Sequence, residues 1–348
     1  MSTTDPSVTG SERRRSRGGP SPLVRILRSP ELGLSVAIAV ALLVIYKLDP
    51  SHAFFRGYRV QTLFHNVALY GLLAIGAAVV IISGGIDLSS GSLVALSSVI
   101  GAKLLTDWLV RGVSSGAEPS TVIVVASIAL ALVMGLLIGL FHAFLITMVR
   151  LPPFIATLAT MAGLRSLAKI ADGNHTVTVR YYAFRVLGDD YRVSLGIFVV
   201  VAMVFSILMG NTVLGRHIYA MGGNETAARL SGVRTRRLKY FVYGVSGLLS
   251  AMAGILFAGK NGLGDHTLGI SYELIAITAA VVGGCSLSGG IGSIRGTVLG
   301  LFLTQIVIQG TGQVAPPGID STTIEGLVLG TVVILAVAFN QLVRANRE

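Results

Sequence analysis

Apolar runs of membrane-spanning length recur along almost the whole chain, and nothing in the sequence constrains its fold more. Ten can be marked, at residues 32–49, 63–83, 89–106, 121–149, 154–172, 194–210, 240–260, 271–284, 293–313 and 323–343. About 20 apolar residues in a helix match the hydrocarbon thickness of a bilayer. A helix also satisfies its own backbone there, which an open strand cannot. The chain therefore reads as an all-α polytopic membrane protein of about ten helices. Composition agrees: 12% of the residues are charged and 53% apolar, against about 25% charged in soluble proteins. The mean hydropathy is +0.77. Glycines spaced for close helix packing are frequent, as at Gly135 with Gly139, Gly292 with Gly296 and Gly300, and Gly326 with Gly330.

Two glycine-serine breaks interrupt these runs, and they match each other. The first is Gly84-Gly85-Ile86-Asp87-Leu88-Ser89-Ser90-Gly91 and the second Gly283-Gly284-Cys285-Ser286-Leu287-Ser288-Gly289-Gly290. Aligned in this way they share the Gly pair, the Leu, the Ser after it and the last Gly. Irregular backbone at membrane depth is tolerated only against protein or along a water-filled path. Paired interruptions in two halves of a chain point to a transport path.

Charge sets the expected topology. The net charge is +11, but the basic residues gather at the ends and between apolar runs, as in cytoplasmic segments, rather than on a nucleic-acid-binding face. Residues 1–31 are polar and Arg-rich (Arg13, Arg14, Arg15, Arg17, Arg25, Arg28) and are expected to form a disordered cytoplasmic tail. Ten crossings bring the 344–348 tail back to the same side, and both termini are then cytoplasmic. They place 211–239 inside as well, with Arg216, Arg229, Arg234, Arg236, Arg237 and Lys239. The longest outer loop, 173–193, is either a platform for an external partner or a solvated connector. Between the tails, 32–343 forms the membrane domain.

Asp87 is the most informative single residue. A carboxylate deep in a membrane helix costs about 2.5–3.5 kcal/mol on insertion scales, so it pairs, caps or lines a polar path. Three uses are open: capping the helix that starts near Ser89, contact with a permeant, and ion coupling. Capping is favoured, because Ser286 takes its place in the second break and serine cannot carry charge. Arg165 and Lys169 are expected to extend toward the outer surface, and Glu273 to sit in a first helical turn. An interior pairing of Arg165 with Asp87 or Glu273 is the rival expectation.

Several chemistries are excluded. Gly254-Ile-Leu-Phe-Ala-Gly259-Lys260 has phosphate-loop spacing, but Asn261 stands where a Ser or Thr is needed and no strand precedes it. No hydrolytic triad or paired-carboxylate arrangement is visible, so the chain is not read as an enzyme. The single cysteine, Cys285, excludes a disulfide framework and a thiolate metal site, and no metal ligand set is assigned. In the basic loop, Asn224 is a good N-cap and Glu225 suits a first turn. Ala227, Ala228, Arg229 and Leu230 continue a short helix that Gly232 closes. Its use is docking into a groove of another protein, or a plain connector.

With these residues assembled, the chain resembles the ribose-type sugar permeases, the membrane subunits of bacterial binding-protein-dependent ABC importers. Four ordered motifs carry the likeness: Gly84-Gly-Ile-Asp-Leu-Ser, Pro153-Phe-Ile-Ala-Thr-Leu-Ala-Thr-Met, Gly215 through Gly232, and Gly283-Gly-Cys-Ser-Leu-Ser-Gly-Gly. The resemblance implies a dimerising (homodimeric or closely heterodimeric) inner-membrane permease joined to two cytoplasmic ATPase subunits. A periplasmic or lipid-anchored binding protein would deliver a monosaccharide. ATP and magnesium would sit on the partners and no cofactor on this chain. The coupling helix would be Asn224 through Gly232. Path or gate candidates are Asn66, Gly84, Gly85, Asp87, Ser89, Gly283, Gly284, Ser286, Ser288 and Gln305. Branched-chain amino acids are the alternative cargo and ion-coupled secondary transport the rival mechanism.

Overall fold

The structure, a computed structural model, describes residues 30–109 and 120–314, together with Gly326, Leu327, Gly330, Thr331 and Ile334, which are helical. The rest of the tenth apolar run, the tail up to residue 29 and the 344–348 tail lie outside the described residues.

Helices dominate, as the apolar runs require. They are α1 Pro30–Leu48, α2 Gly57–Ile82, α3 Ser90–Lys103, α4 Thr121–Thr147, α5 Pro153–Asp172, α6 Tyr182–Asp189, α7 Tyr191–Asn211, α8 Val213–Gly223, α9 Glu225–Leu230, α10 Thr235–Asn261, α11 Tyr272–Val282 and α12 Ile294–Val314. A π-helical turn, Leu104–Trp108, prolongs α3. Six of the described helices (α1, α2, α4, α5, α7 and α10) are long and apolar enough to cross a membrane. Helix α11 has 11 residues, about 17 Å of rise, which is roughly half the hydrocarbon core. It is one of the helices that runs into a break.

Burial separates centre from periphery. The most apolar stretch of α2 is 89% buried and that of α10 78%, against 6% to 28% for α1, α4, α5 and α7. Helix α10 packs along α4, α3 and α2, and α11 pairs with α12. Small residues set these approaches. Gly135 and Gly139 of α4 lie against the backbone of Tyr243 and Gly247 on α10, and Gly296 and Gly300 lie against α11, so the glycine spacing reads out as packing. Gly139→Leu should push α4 off α10 and cost about 1–3 kcal/mol. A fall in the detergent-solubilised melting temperature is the expected result; an unchanged value would show that the approach is loose.

Helix ends follow local chemistry. Pro153 opens α5 and Gly173, at φ 68°, follows its last residue. Asp49, after α1, accepts hydrogen bonds from the Ser51 hydroxyl at 2.6 Å and the Phe54 amide at 3.2 Å. With the Ser51 hydroxyl as the main cause, these hold its carboxyl below the ordinary range.

The 173–193 segment is packed into the fold rather than left as a solvated connector. Val177–Thr178 pairs antiparallel with Leu263–Gly264, and α6 packs on α10. His65 of α2 contacts the Gly188 carbonyl at 2.6 Å. Arg165 reaches the loop that pairs with 173–193, the side expected to be outer: its guanidinium donates to the His266 carbonyl at 2.7 Å and to the Leu268 carbonyl. It thereby fastens α5 to the loop before α11. Asp172 reinforces this, accepting from both the amide and Nδ1 of His266 at 3.1 and 2.7 Å.

Candidate functional site

The two breaks end their helices in the same way. After Ile82 the Gly84 amide donates to the Ile81 carbonyl and the Gly85 amide to Val80. After Val282 the Gly284 amide donates to Val281 and the Cys285 amide to Ala280. Both are Schellman closures, which need a left-handed residue after the cap. Gly84 and Gly284 supply it at φ 84° and 93°, where a Cβ would be strained. This geometry pairs Gly84 with Gly284, one residue out of step with the alignment of the Gly-Gly pairs. Gly283 is instead the cap residue, seated against the backbone of Gly296 and Thr297.

Beyond the glycines the original register returns. The Asp87 Oδ1 accepts from the Ser89 amide at 2.9 Å and the Ser89 hydroxyl at 2.6 Å. The Ser286 hydroxyl accepts from the Ser288 amide at 3.3 Å. Both are side-chain turns closing two residues on. Asp87 thereby holds Ser89, the residue that precedes α3, and accepts from no amide of α3 itself; Ser286 likewise caps no helix. The second break runs on to Ser293, whose hydroxyl accepts from the Gly296 amide at 2.9 Å and caps α12. The second break is longer than the first, so the cap falls to a later serine.

Asp87 is buried and its other oxygen accepts from the Ser246 hydroxyl of α10 at 2.6 Å. Around it, Thr157 of α5 donates to the Ile86 carbonyl at 3.3 Å, and Thr160 contacts His142 Nε2 at 2.7 Å. The Tyr243 hydroxyl lies against Gly85. Ser246, Tyr243 and His142 are not among the site candidates read from the sequence, and Thr157 and Thr160 enter there only as letters of the Pro153–Met161 motif, with no role assigned. The available signal was a polar side chain within an apolar run, and it did not say which of the many would meet.

The two breaks also touch. The Gly290 amide donates to the Ile82 carbonyl at 2.9 Å, satisfying an orphan group of the α2 terminus. Gly222, at the end of α8, is wedged beside them: a Cβ there would strike the Ile82 carbonyl and approach Gly290 N to 2.7 Å. The breaks, α8 and the start of α9 therefore form one junction on one face of the bundle. Gly84, Gly284 and Ser288 are exposed at it, whereas Ser89 and Ser286 are buried.

Helix α9 projects from this junction. Asn224 caps it, accepting from the Ala227 amide at 2.9 Å. Gly232 closes it at φ 85°, with the Val233 amide donating to the Ala228 carbonyl. Glu225 pairs with Lys239 at 2.8 Å, an exposed contact worth at most about 1 kcal/mol. Asn224, Glu225, Ala227, Arg229 and Gly232 are exposed, and Leu230 is 83% exposed. Ala228, expected on the docking face, is instead buried in the chain's own packing, because α9 lies on α8 and α10.

Two path candidates lie elsewhere. Asn66 sits sixteen residues before Ile82 on α2, about 24 Å along the helix, and accepts from Lys260 Nζ at 2.8 Å. Gln305 is buried on α12, and its amide nitrogen has no hydrogen-bond partner among the described residues. The path candidates are therefore not one constellation.

Residues 60–337 match the family described as the branched-chain amino acid transport system / permease component. The chain is 35% identical over 311 residues to the ribose import permease protein of Bacillus subtilis (strain 168), covering 88% of this chain and 92% of that one. It is 31% identical over 329 residues to the galactose/methyl galactoside import permease protein of Escherichia coli (strain K12), covering 91% and 96%. An inner membrane ABC transporter permease protein of the same strain is 33% identical over 285 residues, covering 79% and 82%. No solved structure matches. The chain belongs to this family of permease components. It is a multi-pass inner-membrane protein and a transport subunit.

Proposed function

We propose that this chain is the membrane-spanning permease of an ATP-binding-cassette importer that moves a monosaccharide inward. The sequence relatives named for ribose and for galactose support sugar as the cargo. The observation that carries the mechanism is the junction itself. An exposed, doubly capped helix, α9, continues directly from Gly222, and Gly222 is wedged against both breaks. Partner ATPases holding ATP and magnesium would grip α9. Their closure would move α8 and thereby the breaks, switching the path between the two faces. A binding protein would deliver sugar to the opposite face, and two copies of the chain would enclose the path. In this arrangement the chain makes ten crossings, with both termini and the junction in the cytoplasm.

Sealed vesicles carrying the permease with its ATPase and binding protein test this directly. Uptake of ribose or galactose should stop with vanadate and survive collapse of ion gradients. Survival in vanadate with loss on collapse would establish ion coupling instead. Leucine is the competing solute to include, since the family description names branched-chain amino acids; uptake of leucine alone would overturn the sugar assignment.

A further inference from the structure

The second break is a compliant segment held from outside. Gly289, Gly290 and Gly292 have φ of 80°, 73° and 152°, so this stretch rearranges with little steric resistance. Internal bonds, such as that from the Ser286 amide to the Ile291 carbonyl at 2.9 Å, close the loop on itself, and two bonds tie its backbone to other elements. One is the Gly290 amide to the Ile82 carbonyl. The other comes from α8: the Tyr219 hydroxyl donates to the Gly292 carbonyl at 2.8 Å. Gly292 directly precedes Ser293, the cap of α12, so this bond sets the backbone that enters α12.

Helix α8 is built as a short rigid lever. Thr212 caps its start, accepting from the Gly215 amide at 3.1 Å, and its hydroxyl also donates to the Leu208 carbonyl at 2.6 Å. At the other end Gly223 passes straight into Asn224, the cap of α9. Tyr219 lies one turn before Gly222. The lever therefore meets the junction in two ways: through a hydroxyl that pulls on the second break, and through the backbone of Gly222 and Gly223, which abuts the end of α2 and the second break. A backbone contact such as Gly222 only pushes. The hydrogen bond is the element that draws the loop back when the lever withdraws.

We infer that Tyr219 is a positioning residue that transmits movement of α9 to the second break and the start of α12, coupling ATP hydrolysis to transport. The inference rests on the importer reading above. Its loss uncouples the cycle: the partners hydrolyse ATP while the break no longer follows. One neutral hydrogen bond biases such a two-position joint about fivefold.

The test compares ATP hydrolysed with sugar imported in proteoliposomes containing the whole importer. Tyr219→Phe keeps the ring and removes the hydroxyl. The complex should assemble and hydrolyse ATP within about twofold of wild type, while sugar imported per ATP falls about fivefold. Tyr219→Leu, lacking the ring as well, should lower the ratio at least as far. An unchanged ratio in Tyr219→Phe, or a parallel fall of hydrolysis and uptake that leaves the ratio intact, overturns the inference and makes Tyr219 a packing residue. Absence of ATP-driven uptake by the wild-type complex refutes the importer reading itself, so the two failures are told apart.

Discussion

Leu230→Glu should leave the permease folded yet reduce ATP-driven uptake at least about tenfold. Leu230 is the most exposed large apolar side chain among the described residues, at 83%, and it ends a helix whose other exposed positions are small or polar. An isolated two-turn helix is marginal in water; here both ends are capped and Ala228 is buried beneath it. A prebuilt helix presenting one large apolar residue suits insertion into a groove, where burying a leucine contributes about 1.5–3 kcal/mol. A glutamate at the same place also carries a desolvation cost into the groove. Its effect on the free permease should stay within about 0.5 kcal/mol, as for most surface changes. Arg229→Glu, on the adjacent exposed position, should act in the same direction. The measurement is co-purification of the ATPase with tagged permease, alongside melting temperature and uptake. Undiminished co-purification and uptake in both variants would remove α9 from the interface. Ala228→Trp is the wrong probe, because it would disturb the seat of α9 before reaching any partner.

Asp87→Ala is expected to destabilise the protein by about 2–4 kcal/mol, since it strips the acceptor from the Ser89 amide and from the buried Ser246 hydroxyl. Asp87→Asn separates structure from charge. Its amide oxygen can still accept from Ser89, and its amide nitrogen can donate to the Ser246 oxygen, which has lone pairs free. The cost should fall to about 1 kcal/mol and uptake should stay within about twofold. That outcome would establish Asp87 as a static tie joining the first break to α10. Loss of uptake by a stably folded Asp87→Asn would mean that the negative charge itself works in the cycle, returning ion coupling to the front. Thermal unfolding in detergent and vesicle uptake on the same preparations decide between the two.

Much of the molecule was legible because it is written in local chemistry. Nine of the ten apolar runs correspond to described helices, with ends displaced by a few residues, as at 57 instead of 63 for α2. The caps at Asn224 and Gly232 and the stop at Gly173 follow from side-chain hydrogen bonding and from positive φ, each a property of a few adjacent residues. The motifs that suggested a sugar permease are also local strings.

Misreadings arose where the answer lay in a distant segment. Matching the breaks by their Gly-Gly pairs is one residue out at the helix closures, although it holds again at the Asp87 and Ser286 turns. Ser286 occupies the place of Asp87, but the length of the second break in three dimensions hands the cap of α12 to Ser293. The outward expectation for Arg165 named a side but not its partners, the His266 and Leu268 carbonyls, which lie 101 and 103 residues on.

What the sequence determined by itself was therefore the class of fold, the positions of the spans and breaks, and the short capped helix between them. Periodicity and capping depend on neighbours along the chain. What only the tertiary structure decided is that the two breaks are hydrogen-bonded to each other, that Gly222 and Tyr219 hold them to α8, and that Asp87 meets Ser246, 159 residues away. Those contacts depend on which helix faces meet, and that is fixed by close approach at glycines such as Gly139 and Gly247, where the absent side chain leaves nothing in a single sequence to name its partner.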